Sequence, residues 1–182
     1  MSSFARELSR TSPAAAAALA VAAGGLATIA GAWFFQYVIG LNPCPLCLEQ
    51  RIAYYVVIPL AALIMLGASI NSARSLLVLA LVAIAVAMLW NASLGAYHAG
   101  VEWKLWEGPR DCSGPVTDFG NASDLLHRMQ TTSVVRCDEA PWRFMGLSLA
   151  GYNVVISLAL AAIALWGVWA QLKAPEKSAV SD

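Results

Sequence analysis

The sequence predicts an all-α membrane protein: a four-transmembrane-helix bundle with a short amphipathic interfacial helix in one large extracytoplasmic loop. Composition is the first reason. Of 182 residues, 59% are apolar and only 12% charged, which is outside the range of ordinary soluble domains. The second is where charge is missing. Four stretches, 14–41, 52–70, 76–97 and 144–170, are nearly free of charged residues. Each is long enough, at about 19–20 residues or more, for a helix to cross ~30 Å of hydrocarbon. Third, the spans leave no room for a second core, so 1–182 is expected to be a single integral membrane domain. The formal net charge of zero gives a nucleic-acid partner no electrostatic basis.

Taken in order, residues 1–12 are a short polar tail, and Ser12-Pro13 is a plausible N-cap with proline in the first turn. Within the first span, Ala20, Gly24, Thr28 and Ala32 recur at four-residue spacing and are expected to let a neighbouring helix approach. A cleaved signal peptide competes for this end, but the apolar run is longer than an h-region and shows no clear cleavage site. Trp33, Phe34, Phe35 and Tyr37 read as an interfacial aromatic belt. The second span carries Pro59, tolerable where neighbouring helices satisfy the freed carbonyl. A polar turn, 71–75, leads to the third span, whose Asn91 and Ser93 are expected to hydrogen-bond between helices. Residues 98–143 form the one large loop, too long for a mere connector. Within it, 121–129 reads as a capped helix with Leu125, Leu126 and Met129 on one face, suited to the bilayer surface. Trp166 and Trp169 close the fourth span.

Parity then groups the chemistry. Four spans put both termini and the 71–75 turn on one side of the membrane. Cys44, Cys47, Cys112 and Cys137, the four cysteines, share the other. Lys and Arg are denser on the terminal side, which favours cytoplasmic termini. The cysteines then face a compartment oxidising enough for disulfides.

Cys44-Pro-Leu-Cys47 with Arg51 is the most informative stretch. A helix beginning near Pro43 or Pro45 would set Cys44, Cys47 and Arg51 on one face. The helix N-terminus and the guanidinium both favour the reactive thiolate. An apolar slot beside Arg51 could admit a small acceptor, with Tyr54 and Tyr55 lining it or packing between helices. Sequence adjacency favours pairing Cys44 with Cys47 and Cys112 with Cys137. Structural disulfides, a four-thiolate zinc site and two communicating redox pairs all remain open. A C-x-x-C ring removes little chain entropy, and Cys112 and Cys137 lack zinc-like spacing, so no metal is expected.

Over essentially its whole length the chain resembles the disulfide bond formation protein B (DsbB) family of membrane quinone reductases. The resemblance rests on Cys44-Pro-Leu-Cys47 followed by Arg51 at the head of the second span, His98 ending the third, and the Cys112 and Cys137 pair before the fourth. Where that pattern has an acidic neighbour of the arginine, this chain has Glu49 with Gln50 intervening, and no acidic role is carried over. The resemblance implies a protein in the bacterial inner membrane that reoxidises a periplasmic thioredoxin-like (DsbA-type) dithiol. Electrons would enter at Cys112–Cys137, pass to Cys44–Cys47, and leave from Cys47 to a quinone, ubiquinone or menaquinone. Arg51 and His98 would bind the quinone. A vitamin K epoxide reductase-like enzyme and a non-enzymatic scaffold with structural disulfides are the competing readings.

Overall fold

The computed structural model describes residues 12–109 and 136–174. Four helices long and apolar enough to cross a membrane dominate it. Helix α1 spans Pro13–Trp33 and runs into a π-helical turn, Phe34–Val38; α2 spans Pro45–Ser69, α3 Arg74–Glu102 and α4 Leu149–Lys173. Each helix packs on its neighbours in chain order and α4 returns to α1, while α1 and α3 meet only slightly across the diagonal. The result is an up-and-down bundle.

Short side chains let the helices come close. The α1 face turned inward is Ala14, Ala17, Ala18, Val21, Ala22, Gly25 and Ile29. The stripe expected from sequence is partly corrected: Gly24 does meet α4, where an added Cβ would lie 2.8 Å from Leu160 Cδ2, but Ala20 is exposed, and Thr28 and Ala32 line a cavity described below. On α4, a Cβ added to Gly167 would lie 2.5 Å from the Cβ of Ala17, so only glycine allows α1 and α4 this approach. Outward-facing positions such as Leu63, Leu79, Val86 and Trp90 are exposed, as lipid-facing side chains must be.

Helix α2 does begin at Pro45, with Cys44 as its N-cap, as expected of a helix starting near Pro43 or Pro45, and the apolar run 52–70 is its inner part. Other boundaries differ from expectation. Helix α3 continues to Glu102, so His98 sits inside a helix, not at its end. Residues 143–148 form a hairpin instead of the start of the last helix. Its strands β1, Arg143–Phe144, and β2, Leu147–Ser148, pair antiparallel. Met145 and Gly146, both at positive φ, supply the two-residue turn whose twist suits a hairpin. Asn91 makes the expected interhelical bonds to Asn153 and Ser157, but Ser93 donates to Leu89 O of its own helix. The expected helix at 121–129 and Cys112 lie outside the described residues.

Candidate thiol site and adjoining cavity

A proline shapes the start of the site. Pro45 occupies the first turn of α2, where its missing N–H costs nothing. That places the side chain of Cys44 over the open end of the helix. Its Sγ accepts a hydrogen bond from the Cys47 backbone N–H at 3.3 Å, and the two sulfurs are 2.8 Å apart. Both cysteines are free thiols. The Cys47 thiol, donating to Cys44, pulls the Cys44 pKa down to about 5 against the opposing effect of burial, with His98 adding to the depression. Cys44 is therefore a thiolate held at a helix N-terminus.

A chain of polar side chains runs inward from that thiolate. His98 Nε2 lies 3.7 Å from Cys44 Sγ, and Gln50 Nε2 lies 2.9 Å from His98 Nδ1. Asn153 Nδ2 donates to Gln50 Oε1 at 2.7 Å, and the Tyr54 hydroxyl donates to Asn153 Oδ1 at 2.7 Å. With Gln50 so oriented, Nδ1 of His98 must accept. The proton of the neutral ring is then on Nε2, pointing toward Cys44. Glu102, one turn further along α3, has Oε1 3.9 Å from the same Nε2.

Beside this chain lies a cavity of about 470 Å³, within the usual range of about 300–1,000 Å³ for small-molecule sites. Cys47 lines it and Cys44 does not. Among the described residues that line it, Arg51 alone carries a permanent charge; its Nη1 donates to Gln36 Oε1 at 2.6 Å. The π-helical turn supplies Gln36, so the local wide winding aims the residue that orients the guanidinium. His98 and Tyr54 also line the cavity, whereas Tyr55 is exposed. The hairpin segment contributes Trp142 and Phe144, and Trp142 stacks on Phe144 and meets Phe35 at 5.1 Å between ring centroids.

On its other side, Cys44 belongs to a small buried cluster with Leu46, Val101 and Cys137. Cys137 is disulfide-bonded. The one loop cysteine within the described residues is thus packed at the helix N-terminus that carries Cys44.

A family profile described as "Disulfide bond formation protein DsbB" matches residues 14–167. The chain belongs to the DsbB family. Proteins named disulfide bond formation protein B are similar along most of their length. That of Methylococcus capsulatus is 33% identical over 150 residues, covering 79% of this chain and 87% of the relative. That of Hahella chejuensis is 32% identical over 148 residues, covering 72% and 79%. That of Xanthomonas campestris is 31% identical over 152 residues, covering 80% and 83%. Membership in the DsbB family makes this chain a membrane oxidoreductase of disulfide bond formation.

Four residues that shape this DsbB-family site escaped the sequence reading: Gln36, Gln50, Glu102 and Asn153. Polar residues inside membrane spans are costly and usually functional, and that signal was available for Gln36 and Asn153, whereas Gln50 preceded the expected 52–70 span. Gln36 is the one polar residue among Phe34, Phe35, Tyr37 and Val38. Glu102 lay beyond the expected end of its span and looked like loop.

Proposed function

We propose that the chain reoxidises a periplasmic DsbA-type dithiol and passes the electrons, through two cysteine pairs, to a membrane quinone. The division of the C-x-x-C pair between two environments carries this reading. Cys44 packs in one cluster with Cys137, and Cys47 lines the apolar cavity. The pair bridges a disulfide on one side and a ligand site on the other.

Entry is thiol–disulfide exchange. A thiolate of the reduced partner attacks the Cys112–Cys137 disulfide, and resolution releases the partner as a disulfide and leaves two loop thiols. A loop thiolate next attacks the oxidised Cys44–Cys47 pair at Cys44. The loop disulfide re-forms as Cys44 and Cys47 become thiols. The low pKa of Cys44 makes it a good leaving group in that exchange, and His98 Nε2–H faces the charge that develops on its sulfur. A neighbour such as Cys137 needs only a local shift to reach Cys44.

The cavity fits a quinone head group by size, by its apolar wall and by one cation at its edge. A ubiquinone or menaquinone bound there supplies the two-electron, two-proton acceptor that returns the pair to its disulfide. The chain's own part is to bind and orient. Arg51 presents positive charge where oxygen charge would develop, Gln36 fixes its guanidinium, and Trp142 and Phe144 exclude water. With cytoplasmic termini, the thiol site faces the periplasm of a bacterial inner membrane.

The test is oxidation of a reduced thioredoxin-like dithiol by the purified protein, followed through quinone absorbance. Turnover is expected with the wild type and loss of quinone reduction in Cys47→Ser. Arg51→Ala should need more quinone for the same rate. Inactivity with both a benzoquinone and a naphthoquinone would overturn the proposal.

A further inference from the structure

Three donor atoms meet at the start of α2. Cys44 Sγ, Cys47 Sγ and His98 Nε2 all lie within 4.8 Å of one another. A fourth candidate, Glu102, stands beside His98 but outside that group. The Glu102 carboxylate has a side chain only 3% exposed and places Oε1 3.9 Å from His98 Nε2. Its other oxygen, Oε2, has no hydrogen-bond partner among the described residues. Burying a carboxylate oxygen without a partner is costly, and neither the thiol exchange nor quinone binding gives Glu102 a role. A cation between the sulfurs and the imidazole would give it one.

We propose that the reduced site binds one borderline-soft divalent cation of the zinc type through Cys44, Cys47, His98 and Glu102, and that this ion holds the pair reduced and idle. Two sulfurs, one imidazole nitrogen and one carboxylate oxygen are a tetrahedral zinc-type donor set. The thiolates select against calcium and magnesium, which take oxygen ligands. This is not the four-cysteine site set aside from the sequence, because its third and fourth ligands come from one face of α3.

Two side chains must move: Cys47 opens away from Cys44, and Glu102 swings toward the sulfurs, because its carboxylate lies outside the 4.8 Å group. Zinc–sulfur bonds of about 2.3 Å in a tetrahedron set two thiolates roughly 3.8 Å apart. The sulfurs, now 2.8 Å apart, would open by about 1 Å through rotation of Cys47. The His98–Cys44 distance of 3.7 Å already suits two ligands of one ion. Ligation through Nε2 moves the ring proton to Nδ1, so Gln50 must turn its amide to present Oε1. Binding forms two metal–thiolate bonds and releases whatever protons the thiols hold; nothing is oxidised or reduced. The Cys44–Cys47 disulfide has no thiolates to offer, so the site exists only in the reduced enzyme.

The experiment uses the full chain in detergent, reduced with a phosphine and freed of metal, then titrated with Co²⁺. Expected are one equivalent of tight binding, an intense tetrahedral visible spectrum with a sulfur-to-cobalt band, and displacement by Zn²⁺. Oxidising the Cys44–Cys47 pair should abolish the spectrum. Gln50→Leu, which removes the partner of His98, should weaken binding about 10–100-fold, and Glu102→Gln by at least about tenfold on the same scale. Cys112→Ser should bind normally. Zn²⁺ should also stop turnover, and a chelator should restore it. A pale octahedral spectrum, binding that survives oxidation, unchanged affinity in Glu102→Gln, or loss of binding in Cys112→Ser would each overturn the proposal. Quinone reduction assayed with chelator present tests the catalytic reading separately, and its failure would leave the metal titration standing.

Discussion

Cys44 and Cys47 are three residues apart yet do different work, because a helix N-terminus treats its cap and its first turn differently. Cys44 accepts from the Cys47 backbone N–H, and the adjacent Cys47 thiol stabilises its thiolate, so its proton is lost first. With a pKa of about 5, Cys44 is ionised throughout the neutral range and gains its proton only as pH falls through that value. The reduced protein, with a chelator present, should therefore show one thiolate's ultraviolet absorbance at pH 7 that disappears near pH 5 and is missing in Cys44→Ser. An absorbance that appeared only above pH 8, as for an unperturbed thiol, would refute the assignment. Gln50 matters at the same scale through what it connects. Gln50→Leu strands His98 Nδ1 and Asn153 Nδ2, and each buried unsatisfied group costs about 1–3 kcal/mol. A lower Tm in detergent is expected, together with an upward shift of the Cys44 titration as the His98 tautomer is freed. An unchanged titration would mean that Gln50 only packs.

At the scale of elements, the π-helical turn is the device that sequence could not disclose. Phe34–Val38 carries the aromatic side chains of an interfacial belt, and that reading is compatible with any winding. Only the hydrogen bond from Ile39 N–H to Phe34 O reveals the wider turn that carries Gln36 toward Arg51. Gln36→Leu should remove a hydrogen bond to a charged group, worth about 1.5–3 kcal/mol, and raise the quinone KM about tenfold or more while leaving thiol exchange with the partner intact. Equal losses in both half-reactions would argue instead for general damage to α1. The spans themselves were legible because lipid leaves charge out of them. Their ends were not, because α3 continues past His98 to Glu102, which is buried against the protein. The phase of α1 was illegible for another reason: a run of alanines presents small residues on every face, so four-residue spacing alone could not say which one packs.

The whole molecule depends on how closely its helices approach, since helix association in lipid rests on packing more than on a hydrophobic drive. Parity put the C-x-x-C and the loop cysteines on one side of the membrane, and Cys137 packs in one cluster with Cys44. The cavity was foreseen only as a slot beside Arg51, because its wall is assembled from four separated segments. Closing that wall requires α1 and α4 to stay near each other: Thr28 and Ala32 on one, Asn153 and Ile156 on the other, line the same space. One of the close contacts that hold them lies far along the bundle, where Gly167 meets Ala17. Gly167→Val introduces atoms where one Cβ already overlaps, and should cost about 1–3 kcal/mol through overpacking. If the helices splay about that point, quinone KM should rise although no cavity residue has changed. A compensating Ala17→Gly should restore part of both Tm and KM. A Gly167→Val protein with wild-type Tm and KM would show that the close approach of α1 and α4 does not hold the cavity together.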